Sequence, residues 1–151
     1  MDFQTPDRVC NVMVDLLSYG ITSVLEPTPG EGNLVRALSA GGYNVTAPTD
    51  FFSLPEESWY DAIVMNPPFS PMSVGYKVLY KCMEMSNVII ALMPWLTLIN
   101  SQRRTDDIVD FGLVEVVHLP RKTFKGSRVQ TCILSMYKGY HDKTTISFLH
   151  L

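Results

Sequence analysis

What this sequence has little of narrows its chemistry before any motif is considered. Its three cysteines, Cys10, Cys82 and Cys132, lie far apart, as do its three histidines, His118, His141 and His150. No two of them fall at metal-ligand spacing, so no metal is expected, and the cysteines read as reduced thiols acting as small core hydrophobes. None of the histidines is flanked by a plausible nucleophile. Long apolar runs are missing too: the longest, residues 88–96, is far short of the ~20 residues a membrane span requires. The opening MDFQTPDRVC carries no apolar signal region, so a soluble, intracellular, cytoplasmic chain is expected. There is no internal repeat and no low-complexity stretch, which excludes a solenoid. Positive charge is scarce as well, and a net charge of −3 argues against a protein that holds nucleic acid mainly by long-range attraction.

What is present fits one globular domain. A chain of 151 residues with 46% hydrophobic and 18% charged content can bury a real core and leaves no room for a second independent domain, so residues 1–151 are expected to form one. The few cations are unevenly spread: half of the twelve, namely Arg103, Arg104, Arg121, Lys122, Lys125 and Arg128, lie in one segment. That segment reads either as a solvated basic surface or as a rim that faces phosphates.

Apolar periodicity and turn residues divide the chain into alternating elements. Thr5-Pro6-Asp7 predicts a helix start with Pro6 at the first helical position, and Val9, Val12, Met13, Leu16 and Leu17 follow at helical spacing up to Gly20. A strand is predicted at residues 21–25, a helix at 33–40 closed by Gly41-Gly42, and a strand at 43–47. After an irregular, proline-containing piece come a strand at 61–65, a helix at 73–85, a fully apolar strand at 88–93 and a polar helix at 101–111. Strands at 113–119, 130–137 and 144–149, without a strong helix between them, suggest an antiparallel finish. The pattern predicts an α/β domain with a mostly parallel sheet and an antiparallel C-terminal edge. In such sheets ligands bind beyond the carboxyl ends of the strands. Two unusual turns, Glu26-Pro27-Thr28-Pro29-Gly30-Glu31-Gly32 and Asn66-Pro67-Pro68-Phe69, fall there.

In the first turn Gly30 and Gly32 permit positive φ and close approach of a ligand to the backbone, although glycines alone could simply make a tight turn. Glu26 adds direction, since a carboxylate at the strand tip favours a ligand ammonium group and repels a phosphate. The second turn suits one chemical problem. An aryl amine is a poor nucleophile because its lone pair is delocalised into the ring. If the Asn66 side-chain oxygen and the Pro67 carbonyl each accept an N–H of that amine, the nitrogen is drawn toward tetrahedral geometry. Consecutive prolines freeze φ and remove backbone donors, which holds those acceptors in place, and Phe69 offers a face on which a planar base can stack. The plain alternative is a rigid loop with a buried phenylalanine.

Asn66-Pro67-Pro68-Phe69 resembles the catalytic motif of the amino-group DNA methyltransferases, and residues 26–32 are similar to their cofactor motif. Phe3-Gln4-Thr5-Pro6 resembles the N-terminal cofactor-contacting motif of the adenine-N6 enzymes. Leu119-Pro120-Arg121 through Phe124, and on to Gln130-Thr131-Cys132-Ile133-Leu134, is similar to the end of their catalytic domain. The resemblance runs in family order along nearly the whole chain. It implies a Rossmann-like class I fold, S-adenosylmethionine as cofactor, and methyl transfer to adenine N6 in DNA. Glu26, with Pro27 beside it, would hold the methionine ammonium; Gly30 and Gly32 would border the methionine; Gln4, Thr5 and Pro6 would close over the cofactor; Asp50 or Phe51 would lie near its adenine; and Asn66 would touch both cofactor and substrate. Transfer would be an in-line displacement without metal or covalent intermediate, on an adenine flipped out of any duplex.

Two departures qualify the resemblance. Between residues 41 and 61 the family fits two strands and a crossover helix, for which too few residues remain here. One strand–helix unit is therefore expected to be shortened, with Pro48-Thr49-Asp50 standing where a ribose-binding carboxylate usually ends the second strand. No segment of target-recognition size follows the motifs, so relaxed specificity or a partner chain that supplies recognition is expected. Methylation of a protein glutamine or an RNA base, and a non-catalytic cofactor-binding interaction module, are the alternatives.

Overall fold

The computed structural model describes residues 4–150; Phe3, the first residue of the N-terminal motif, lies outside them. In chain order the elements are α1 (Asp7–Asp15), β1 (Ser23–Leu25), α2 (Asn33–Ala40), β2 (Asn44–Thr46), a 3-10 turn (Phe51–Ser53) and β3 (Ala62–Met65). They continue with α3 (Met72–Cys82), β4 (Val88–Pro94), α4 (Leu96–Ile99), α5 (Gln102–Phe111), β5 (Leu113–His118), a 3-10 turn (Arg121–Thr123), β6 (Thr131–Tyr137) and β7 (Thr145–Phe148).

All seven strands form one sheet in the order β2-β1-β3-β4-β6-β5-β7. The pairs β1–β2, β1–β3, β3–β4 and β5–β7 are parallel, while β6 runs antiparallel to both β4 and β5. The antiparallel relation expected of the C-terminal third is thus carried by β6 alone, inserted between β4 and β5 two places in from the edge, and β7 closes that edge in parallel with β5. Local sequence could not show this, because β7 pairs with a strand that precedes it by thirty residues.

Strand alternation builds the core. On β3 and β4, Ile63, Met65, Ile89, Ala91 and Met93 point into one apolar cluster with Val78, Leu79, Ile108 and Phe111 of α3 and α5. Ala62, Val64, Ile90 and Leu92 point the other way, against Val9, Met13, Leu34 and Leu38 of α1 and α2. Because both faces are covered, these strands read as unbroken apolar runs. Each fully buried Leu, Ile or Met contributes about 1.5–3 kcal/mol. Cys10, Cys82 and Cys132 are free, buried members of these clusters. Burial pushes the Cys10 thiol up to about 11 and Cys132 to about 12, which keeps them protonated and inert.

Three local expectations are corrected. Pro6, with ψ 148°, is the cap ahead of α1 rather than its first residue. That helix ends at Asp15, before Gly20, whose φ of +92° belongs to the following turn. Leu96, the last residue of the longest apolar run, instead begins the short helix α4 (Leu96–Ile99), where no element is predicted. The contracted region is as expected: between β2 and β3 only the 3-10 turn at Phe51–Ser53 remains. Pro48 and Pro55 stand on either side of that turn and interrupt any longer helix. Among the described residues no helix is long and apolar enough to cross a membrane.

The chain order creates one special place in this sheet. From β1 it moves outward to β2, then returns past β1 to β3 and continues in the opposite direction to β4. The crossover helices α2 and α3 accordingly cover opposite faces. Connections diverge between β1 and β3, and a crevice opens beyond their carboxyl ends.

Candidate functional site

Glu26 follows directly on β1 and Asn66 directly on β3, so parallel pairing of these strands brings the two turns side by side. Thr28 ties them together: its backbone N–H donates to Glu26 Oε1 at 2.7 Å, and its hydroxyl donates to the Asn66 carbonyl at 3.3 Å. The N-terminal segment laps over both. Gln4 Oε1 accepts from Glu31 N at 3.1 Å, and Thr5 O accepts from Asn33 Nδ2 at 2.9 Å. Asn66 Nδ2 donates to Thr5 Oγ1 at 2.9 Å. That bond ties the Asn66 amide to the N-terminal segment and fixes which way it faces.

Around these contacts lies a cavity of about 540 Å³, within the ordinary size range for small-ligand sites. Of the residues singled out from sequence, Gln4, Thr5, Glu26, Pro27, Gly30, Asp50, Phe51, Asn66 and Pro68 line it. Pro6, Gly32, Pro67 and Phe69 are not among the residues that line it. Gly32, at φ +88°, caps the start of α2, and Pro67 is buried. Phe69 is half-buried, wedged between the two apolar clusters. At Gly30, φ is +54° and a Cβ would sit 3.0 Å from the Gln4 amide. Glycine there serves both the backbone angle and the overlying strap.

Glu26 is 1% exposed. Burial raises its carboxyl to about 8, against the opposing effect of the Thr28 hydrogen bonds. A buried carboxyl group without a cationic partner costs free energy to ionise, and an ammonium ligand in the cavity would reverse that cost. Asp50 serves a different purpose: its Oδ1 accepts from Phe52 N at 3.0 Å and caps the 3-10 turn. Phe51 then points into the core at 4% exposure while Phe52 stays 53% exposed at the cavity wall. Lys81 Nζ donates to the Phe51 carbonyl at 2.9 Å and lies over both rings, which holds that wall in place.

Several residues at the site were not singled out from sequence: Thr28, Asn33, Phe52 and Gly75. Gly75 lies in α3 where a Cβ would come within 2.6 Å of the Pro68 carbonyl, so the helix can seat against the proline turn only without a side chain. A lone glycine inside a predicted helix was the available signal.

The basic segment separates into two parts. Arg104 is committed locally: Nε donates to Thr97 O at 3.0 Å, Nη2 to Leu96 O at 3.3 Å and to Asn100, and its guanidinium lies 3.7 Å from the Tyr76 ring. Arg103 pairs weakly with Asp107 at 4.0 Å. Arg121, Lys122, Lys125 and Arg128 are exposed together in the β5–β6 loop.

No family model and no curated protein sequence matches the chain. Solved structures do. One is a Listeria monocytogenes protein assigned to the class I S-adenosylmethionine-dependent methyltransferases, with TM-score 0.77 and 15% identity over 97% of this chain and 65% of that one. Another is assigned as a modification subunit of a type I restriction enzyme from Vibrio vulnificus, with TM-score 0.74 and 16% identity over 99% of this chain and 47% of that one. A third is the 23S rRNA methyltransferase ErmE, with TM-score 0.63 and 16% identity over 95% of this chain and 72% of that one. The chain therefore spans about two thirds of the first structure and about half of the second. These likenesses establish the fold, the Rossmann-like one of class I methyltransferases.

Proposed function

We propose that this chain is an S-adenosylmethionine-dependent methyltransferase catalytic domain that transfers a methyl group to an exocyclic amino nitrogen, with adenine N6 in DNA as its acceptor. The observation that carries the reading is the junction of Glu26 and Asn66 across one cavity at the divergence of β1 and β3, tied by Thr28. The residues present fit the cofactor. Glu26 is a buried carboxyl group suited to the methionine ammonium, and the Gly30 turn leaves backbone accessible beside it. Phe52 and Asp50 border the end of the cavity suited to an adenosine. When bound, the cofactor supplies an electrophilic sulfonium methyl group.

The chain's own work is to bind, orient and polarise. Thr5 fixes the Asn66 amide, so its oxygen is positioned before an acceptor arrives, and rigid Pro67-Pro68 holds the adjoining carbonyl. An amine donating to both oxygens would be drawn out of conjugation and aimed at the cavity. Phe69 supplies the nearby ring for a flipped base.

The DNA assignment draws on the Asn-Pro-Pro-Phe turn and on the likeness to restriction–modification subunits, which include a type I methyltransferase subunit from Streptococcus thermophilus. In this reading a partner chain supplies sequence recognition. The likeness to an rRNA methyltransferase makes an RNA base the second acceptor to test.

Calorimetric titration with S-adenosylmethionine, paired with the Asn66→Ala variant, tests the proposal. The wild-type chain should bind the cofactor, and the variant should bind it within a few-fold while losing about 100-fold or more in methyl transfer. Wild-type protein without cofactor binding, or a variant that retains turnover, would refute it.

A further inference from the structure

The carboxyl rim of the sheet continues beyond the catalytic turn, and what it carries there is unused by the chemistry above. Trp95 immediately follows β4, His118 ends β5 and Phe148 ends β7. All three strands are parallel to β3, so these rings stand on the same rim as Asn66. They form a row: the Trp95 and His118 ring centres are 5.9 Å apart, and those of His118 and Phe148 5.3 Å. Trp95 Nε1 donates to His118 Nδ1 at 3.1 Å, which locks the first two together. Trp95 and His118 are half-buried, whereas Phe148 is 63% exposed. Neighbouring strands are about 4.8 Å apart, so the row begins one strand away from the Asn66 turn and leads outward from it.

The β5–β6 loop rises from the same rim. It is anchored beside the row, with Trp95 N donating to Gln130 O at 2.9 Å and Gln130 Nε2 to Leu119 O at 2.8 Å. Its four cations, Arg121, Lys122, Lys125 and Arg128, are exposed, and no Asp or Glu occurs anywhere in residues 116–141. A chain with net charge −3 therefore concentrates positive charge at one place, beside a row of rings.

Rings together with uncompensated cations make a surface for an unpaired polynucleotide strand. Its bases can stack on aromatic faces while its phosphates meet lysine and arginine, neither of which requires a particular sequence. A duplex keeps its base faces covered and could use only the cations. Resting on the reading that this chain methylates adenine in DNA, we propose that Trp95, His118 and Phe148, with the β5–β6 loop, form a track for unpaired DNA flanking the target adenine. The substrate is then a single strand or an opened region, presented without the cost of extruding a base from a stack.

The test uses the full chain carrying Trp59→Phe. Trp59 lies at the opposite rim beside Tyr60 and Asp61, and its replacement leaves Trp95 as the sole tryptophan. With S-adenosylhomocysteine present, an adenine-containing single-stranded oligonucleotide should quench Trp95 fluorescence and bind about tenfold or more tightly than the corresponding duplex. Phe148→Ala, at an exposed position, should weaken single-strand binding about tenfold and raise KM with little change in kcat. Lys122→Gln with Lys125→Gln should make the log affinity against log salt slope shallower by about 1.4. Duplex bound as well as single strand, or an unaltered Phe148→Ala variant, would overturn the track and leave the methyltransferase reading standing. Failure of both strand forms to bind protein that still takes up cofactor would overturn the track and the DNA acceptor together.

Discussion

Glu26 shows how one buried group links stability to ligand binding. Its carboxyl is raised from 4.5 to about 8 by burial, so the folded free protein retains a proton that the unfolded chain releases. The associated stability is complete below about pH 4.5, declines as pH rises between the two values, and is gone above about 8. Glu26→Gln should therefore flatten the fall of Tm between pH 5 and 9 relative to wild type, as thermal melts would show; parallel curves would contradict this. Binding of a cationic ligand at neutral pH should also release close to one proton, detectable calorimetrically in buffers of different ionisation enthalpy, and Glu26→Gln should abolish that release. Glu26 and Asn66 could be singled out from sequence because residue type and turn position already imply their chemistry. Thr28 and Asn33 could not, since what they do depends on hydrogen bonds to Asn66 and Thr5, 38 and 28 residues away. Phe51 and Phe52 exchange prominence for a related reason. The tight turn capped by Asp50 buries the first ring and leaves the second exposed, although both border the cavity, a choice invisible in two identical letters.

Among the elements, α3 has the most direct bearing on the catalytic turn. It packs so closely that a methyl group on Gly75 would stand 2.6 Å from the Pro68 carbonyl, and backbone cannot yield there without moving the turn. Gly75→Ala should shift the Asn66–Phe69 corner and lower kcat by about 10- to 100-fold while cofactor affinity changes little. Steady-state kinetics beside a cofactor titration would check this, and unchanged kcat would show that the corner tolerates displacement. Element identities were largely legible: α2 spans the predicted residues, and β4 carries the unbroken apolar run of a strand covered on both faces. The failures are equally physical. Helix α4 was hidden because it is a single turn following the apolar run of β4, and it is secured from α5, where Arg104 donates to the Thr97 and Leu96 carbonyls and the Thr105 hydroxyl to the Leu98 carbonyl. The parallel addition of β7 depends on pairing with β5, Glu115 against Thr145 through His118 against Phe148, which no local pattern records.

At the scale of the molecule, the cavity lies where the chain reverses its direction across the sheet. Divergence of the connections after β1 and β3 opens the crevice, and the two motif-bearing turns stand at its two lips. Between β2 and β3 only the 3-10 turn capped by Asp50 remains, and it lines the cavity. The rim outside the crevice carries the rings and the cations that a nucleic acid would meet. The measurement that addresses the central claim most directly is incubation of the wild-type chain with S-adenosylmethionine labelled in the methyl group and a mixture of DNA, RNA and glutamine-containing peptide, followed by digestion and separation of the products. Label recovered as N6-methyldeoxyadenosine, and missing when Asn66→Ala replaces the wild type, is the result this account predicts. Label recovered only in peptide or RNA, or none in any acceptor despite cofactor binding, would contradict it.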